Sequence, residues 1–151
     1  MVWSMSSLLC VKADASHQAR LKHFHKQNRL SQPLQTDTVW LAELDGRIIG
    51  VARLVPIDQP ETTEFDQAWW LRGLFIRPEH RQQGFGHHLI HALQTGTDGA
   101  LYAFALPHLD AFYHRLDFQP ITADELPESL QTRLTNYQQS KSALQAYRYH
   151  R

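Results

Sequence analysis

The residue types with most chemical potential are concentrated in "RPEHRQQGFGHHLIHAL", Arg77 to Leu93, where Gly84 and Gly86 stand one residue apart. They fall where an apolar strand pattern gives way to a helical one. A strand that feeds a helix through a glycine turn leaves backbone N–H groups unpaired at the helix N-terminus, and the helix dipole favours negative charge there. That is the construction of an anion site. Glycines let a phosphate approach the backbone with no Cβ in the way, while Arg81, His80, His87 and His88 supply donors or charge nearby. A diphosphate fits this description; two glycines that simply make a tight turn fit it as well. Neither familiar phosphate loop applies, because GxxxxGK[ST] is absent and the dinucleotide fingerprint lacks its third glycine and its downstream acid.

Other residues with reactive side chains point to less. The chain has ten histidines, and His87 and His91 stand at i and i+4, a usable metal-ligand spacing, but no third ligand is signalled. With Phe85, Leu89, Ala92 and Leu93 taking the buried side of that helix, the histidines read as a solvated edge and no metal is expected. Trp69 and Trp70 are adjacent on a strand and must face opposite sides, so at least one belongs to the core. Arg72 shares the face of Trp70 and reads either as a surface cation or as a partner for the carboxylate of a substrate.

These residues need a framework, and the pattern supplies one. The 151 residues fit a single domain, 1–151, able to bury a core of its own. A weak strand pattern at Trp3 to Lys12 is followed by a helix from a cap at Asp14 to Gln27, ended by "SQP". "TVWLAELDGRIIGVARLVP" reads as a hairpin whose Asp-Gly suits a type I′ turn. Pro56 to Asp66 reads as a surface loop, and "AWWLRGLFIRP" as a strand apolar on both faces, with Gly73 marking a bulge. A helix from Gly84 to Gln94, a strand from Ala100 to Leu106, a helix from Leu109 to Leu116 and a short strand from Phe118 to Ile121 complete a β-then-α order. Leu126, Leu130, Leu134 and Tyr137 recur at helical spacing, and "SALQAYRYH" reads as a closing strand.

Composition narrows the function classes. Fifteen basic residues balance fifteen acidic ones, so there is no uniform field to hold nucleic acid or an anionic membrane. Cys10 is the only cysteine, which excludes an internal disulfide framework and suits a reducing compartment, so a cytoplasmic protein is expected. The N-terminal stretch carries neither a charged leader nor an apolar run long enough for a signal peptide or a membrane span.

The run "LFIRPEHRQQGFG" resembles the acetyl-CoA loop of the GNAT superfamily of acetyl-CoA-dependent N-acyltransferases, with Arg81, Gly84 and Gly86 at its three fixed positions. "LDAFYHRLDFQPI" is similar to that family's second signature, matched by Phe112, Tyr113 and Phe118. The resemblance covers roughly Thr38 to Ile121. It implies a mixed α/β fold: a twisted, mostly antiparallel sheet of about six to seven strands, splayed between the fourth and fifth, with helices on both faces. It implies transfer of an acetyl group from acetyl-CoA to a primary amine by direct attack. The backbone of Leu74, Phe75 and Ile76 would pair with pantetheine, and Arg81, Gln82, Gln83, Gly84, Phe85, Gly86 and His87 would hold the pyrophosphate. Tyr113 would be the general acid and the Leu74 amide the oxyanion donor.

The same comparison leaves gaps. The fourth strand carries no acid, so Glu43, Glu64, Asp66, His108 or a water chain remain as the base. Asp117 stands where the family usually has Gly, at a position that reads as a left-handed residue after a helix. Leu106, Pro107 and His108 occupy a region where many members keep an Asn for CoA. The acceptor reads as a small-molecule amine, and a homodimer through Leu126 to Arg151 is allowed. Two rival readings remain: a non-catalytic acyl-CoA-binding or sensing domain, and a structural α/β interaction module.

Overall fold

The computed structural model describes residues 7–57 and 67–150. Seven strands, β1 (Leu8–Lys12), β2 (Thr38–Leu44), β3 (Arg47–Ile57), β4 (Ala68–Ile76), β5 (Ala100–Ala105), β6 (Gln119–Ile121) and β7 (Gln145–Tyr149), form one sheet in the order β1-β2-β3-β4-β5-β7-β6. Four α-helices accompany them: α1 (Gln18–Gln27), α2 (Phe85–Thr95), α3 (Asp110–Arg115) and α4 (Glu128–Gln138). β1 pairs antiparallel with β2, and β7 antiparallel with both β5 and β6, whereas β4 and β5 run parallel. This is the mixed, mostly antiparallel α/β sheet that the sequence implies. The expected loop over Pro56 to Asp66 gives up Pro56 and Ile57 to β3, and its remainder, with Glu64 and Asp66, lies outside the described residues, as does the part of the first strand before Ser7.

The chain divides into two compact units, Met1–Arg53 with Gly73–Thr97, and Leu54–Arg72 with Asp98–Arg151. In the first, Leu21 and Phe24 of α1 pack on Leu41, Ile48 and Val51, and Phe75 meets Phe24 edge-on at 6.1 Å. The turn between β2 and β3 is two residues long, Asp45 at φ 52° and Gly46 at φ 81°, the doubly positive pair that a type I′ turn needs. Asp14 caps the entry to α1 as its position suggests: its carboxylate accepts from the Ser16 amide at 2.8 Å, and His17 Nδ1 accepts from the Asp14 amide at 3.0 Å. α1 itself begins only after a 3-10 turn over Ala15–His17.

The second unit is built around Trp70, Tyr102, Ile121 and Ala146 of the sheet with Leu126, Leu130 and Leu134 laid over them. The closing segment is therefore spent on this unit's own core. Its last strand enters between β5 and β6 instead of extending an edge. α3 ends in a Schellman motif: the Phe118 amide donates to the Tyr113 carbonyl at 3.1 Å and the Asp117 amide to the His114 carbonyl at 3.0 Å. Asp117 holds φ 64°, the left-handed conformation expected of it, and the Phe118 and Tyr113 rings meet at 5.2 Å, the apolar contact that accompanies such an end.

Candidate functional site

The glycine turn joins β4 to α2 through two left-handed residues. β4 ends at Ile76, a 3-10 turn covers Pro78–His80, and α2 starts at Phe85 with Gly84 as its N-cap at φ 83°, one residue later than the pattern alone suggests. Gln82 also takes a positive φ, 63°, so two left-handed residues flank Gln83 and turn successive peptide N–H groups. Among the described residues, the amides from Gln82 to His87 have no hydrogen-bond acceptor; the first intrahelical bond is that of His88 to Gly84, at 3.1 Å. A Cβ placed on Gly84 would meet nothing within 4 Å. Open space therefore lies beside Gly84 on the side a Cβ would take.

Arg81 behaves differently from its expected role as a phosphate donor. Its Nε donates to the Ile76 carbonyl at 2.7 Å and its guanidinium lies 5.1 Å from the centre of the Phe75 ring. It braces the exit from β4, and among the described residues its terminal N–H groups have no acceptor. His80 packs edge-on to Phe85 at 6.1 Å, and His87 stacks on His91 at 6.5 Å. Among the described residues, no three His, Cys, Asp or Glu side chains converge in a way that could hold a metal ion.

The backbone of β4 sorts its own peptide groups. Arg77 donates its amide to the Ile49 carbonyl of β3 at 2.8 Å. Peptide groups alternate between the two edges of a strand, so those of Phe75 also point to β3, and those of Leu74 and Ile76 point to the opposite edge. On that edge β5 pairs with Ala68–Leu71 only. Three consecutive residues cannot all pair with one added chain, and Phe75 is the one that alternation removes. Gly73, at φ 68°, breaks the regular strand just before Leu74, where a bulge is expected.

Tyr113 lies in α3, 6% exposed, stacked on Tyr147 of β7 at 5.4 Å and edge-on to Phe112 and Phe118. Burial pushes its phenol up to about 12. Among the described residues its hydroxyl has no hydrogen-bond partner, whereas that of Tyr147 donates to Asp110 at 2.8 Å. Tyr147 also sits at about 12, first through burial and then through the Asp110 carboxylate. Sequence reasoning passes over Tyr147, whose only signal is its place in an alternating closing strand. Of the base candidates, Glu43 is held by Arg20 at 2.6 Å, and His108 is exposed in the 3-10 turn Pro107–Leu109 that follows β5.

Comparison with known proteins bears on the family and the fold. Residues 35–120, more than half of the chain, match the family model described as an acetyltransferase (GNAT) domain. Among solved structures, a GNAT-family acetyltransferase from Staphylococcus aureus Mu50 is 14% identical with a TM-score of 0.55, covering 94% of this chain and 98% of its own. N-acetylglutamate synthase from Neisseria gonorrhoeae, solved with coenzyme A and L-arginine, is 19% identical with a TM-score of 0.62; the match covers 97% of this chain but 34% of the synthase. A predicted acetyltransferase from Clostridium acetobutylicum, solved with acetyl-CoA, is 16% identical with a TM-score of 0.52, covering 75% of this chain and 90% of its own. At these identities the likeness is one of fold. No curated protein matches the sequence. Among the described residues no helix is long and apolar enough to cross a membrane.

Proposed function

Because the chain belongs to the acetyltransferase (GNAT) family, we propose that residues 1–151 act as one domain that transfers an acetyl group from acetyl-CoA to the primary amine of a small molecule. The observation that carries this reading is the run of unpartnered amides from Gln82 to His87 with open space in front of Gly84. Two linked phosphates are the ligand that such a run suits, and coenzyme A carries them. Solved relatives that hold coenzyme A or acetyl-CoA support the same choice.

Pantetheine amides pair with the Leu74 carbonyl and with the Ile76 peptide groups on the β4 edge away from β3, as an added strand would, which leaves the Leu74 N–H for the reacting carbonyl. The nitrogen lone pair of the neutral amine attacks the thioester carbonyl carbon, forming the N–C bond. The carbonyl electrons move onto oxygen, where the Leu74 N–H stabilises them. Collapse expels the sulfur with the C–S electron pair, and the attacking nitrogen loses its proton to water. Tyr113 donates to the departing sulfur. With its phenol near 12 and a free thiol near 8.5, complete transfer is uphill by about 3.5 pKa units. The phenol therefore stays protonated as a hydrogen-bond donor while negative charge builds on sulfur, and solvent completes the protonation.

Thiol release from acetyl-CoA with a panel of primary amines tests this. Amine-dependent release is expected. Tight acetyl-CoA binding without release to any amine would instead mark a non-catalytic acyl-CoA-binding domain, and absence of thermal protection by CoA would leave only a structural module.

A further inference from the structure

Four of the ten histidines stand at the entry to α2. His80 packs edge-on to Phe85, the first residue of the helix, at 6.1 Å. His87 carries the last of the unpartnered amides, and its ring lies 6.1 Å from that of His88 and 6.5 Å from that of His91. His80 and His87 are half-buried, while His88 and His91 are exposed. A metal does not account for the group, because among the described residues no set of side chains could hold one.

Permanent charge is short at this place. From Arg77 to Thr95 the only such side chains are Arg77, Glu79 and Arg81. Glu79 opposes Arg77 at 2.8 Å and also lies near His80, and Arg81 is anchored on the Ile76 carbonyl. One net positive charge is left to meet the two negative ones of a diphosphate. The strands packed on α2, β1 and β2, add nothing near the turn. Val11, Val39 and Leu41 face α1, so alternation turns Cys10, Lys12, Trp40 and Ala42 towards α2. Burial pushes the Cys10 thiol up, so it stays neutral. Lys12 lies opposite Trp40, whose ring abuts Gly96 at the far end of the helix, about 16 Å from the turn.

We infer that His80, His87, His88 and His91 supply the missing charge: seating the diphosphate of acetyl-CoA on the amides of Gln82 to His87 draws a proton from solvent onto this cluster. This rests on the cofactor site proposed above, and it goes beyond that site in naming the side chains that meet the phosphates. A dianion favours the charged form of an imidazole beside it, and the His87 ring hangs from a residue whose own amide belongs to the run. Repulsion between charged rings this close limits the uptake to about one proton. Protons bound together with the ligand make affinity rise as pH falls.

Calorimetry of the full chain with acetyl-3′-dephospho-CoA tests this, since that probe has neither a free thiol nor the phosphomonoester that titrates near about 6. At pH 7 the apparent binding enthalpy should vary with the ionisation enthalpy of the buffer, with a slope of about half a proton taken up. Kd should be about sixfold tighter at pH 6 than at pH 8, the ratio produced by a tenfold preference for the protonated form of a group titrating near about 6.5. The combined variant His80→Gln, His87→Gln, His88→Gln, His91→Gln should lose both effects. Should it melt lower than the unmodified chain, the four single variants take its place, and at least one should lower the uptake. A buffer-independent enthalpy in the unmodified chain, or uptake undiminished in the variants, would overturn the inference. If the probe binds too weakly, acetyl-CoA replaces it, and the difference between chain and variant cancels its 3′-phosphate. Gly84→Glu separates the two readings. Binding abolished there, with no uptake in the unmodified chain, counts against the histidines alone; binding unchanged there fails the site on which they depend.

Discussion

Replacing Gly84 separates the backbone's role from any side chain's. Gly84 holds φ 83° and a Cβ there would meet nothing within 4 Å, so Gly84→Ala adds left-handed strain but no clash. That strain is about 1–2 kcal/mol, or roughly 2–8 °C of melting temperature for a chain of this size. Gly84→Glu adds the same strain and also puts a carboxylate in front of the amides from Gln82 to His87. A carboxylate about 4 Å from one phosphate charge costs about 4 kcal/mol at an effective dielectric near 20, a loss of about a thousandfold in affinity. Both variants should therefore melt slightly low and at similar temperatures, while calorimetry shows acetyl-CoA binding weakened in the Ala variant and abolished in the Glu variant. If Gly84→Glu binds acetyl-CoA as tightly as Gly84→Ala, the diphosphate is not on these amides and the functional reading fails with it.

Further outcomes follow from the other residues. Asp117→Gly should raise stability by about 0.5–1 kcal/mol in denaturant titration, because φ 64° suits Gly better than Asp; destabilisation would show that the Schellman end of α3 does not govern that position. Tyr113→Phe should cut thiol release while leaving acetyl-CoA affinity intact, and a fully active variant would remove Tyr113 from the reaction. The same phenol sets an alkaline limit. The unfolded group ionises near 10 and the folded one near 12, so its contribution is complete well below pH 10 and falls by about 2.3 kcal/mol by pH 12. The variant's stability, measured at pH 9 and pH 12, should decline less by about that amount. With Glu43 paired to Arg20, kcat/KM should climb with pH towards the acceptor amine's own pKa; a His108→Ala variant that loses most of its turnover with acetyl-CoA affinity intact would instead place His108 in the role of base.

Local chemistry alone determined much of this protein. Asp45-Gly46 dictates its turn, Asp14 its cap, Asp117 a left-handed end to α3, and Gly84 a left-handed entry to α2, because each depends on conformations set within a few residues. Tertiary structure decided what depends on distant partners. It sent Arg81 back to the Ile76 carbonyl, tied Glu43 to Arg20, and placed β7 between β5 and β6 so that Tyr147 stacks on Tyr113. It also brought Arg133 from α4 onto the Trp70 ring that Arg72 already covers from β4. Residues far apart in the chain meet there through the closure of long loops and the burial of leucines on Trp70, and neither leaves a mark in the spacing of nearby residues.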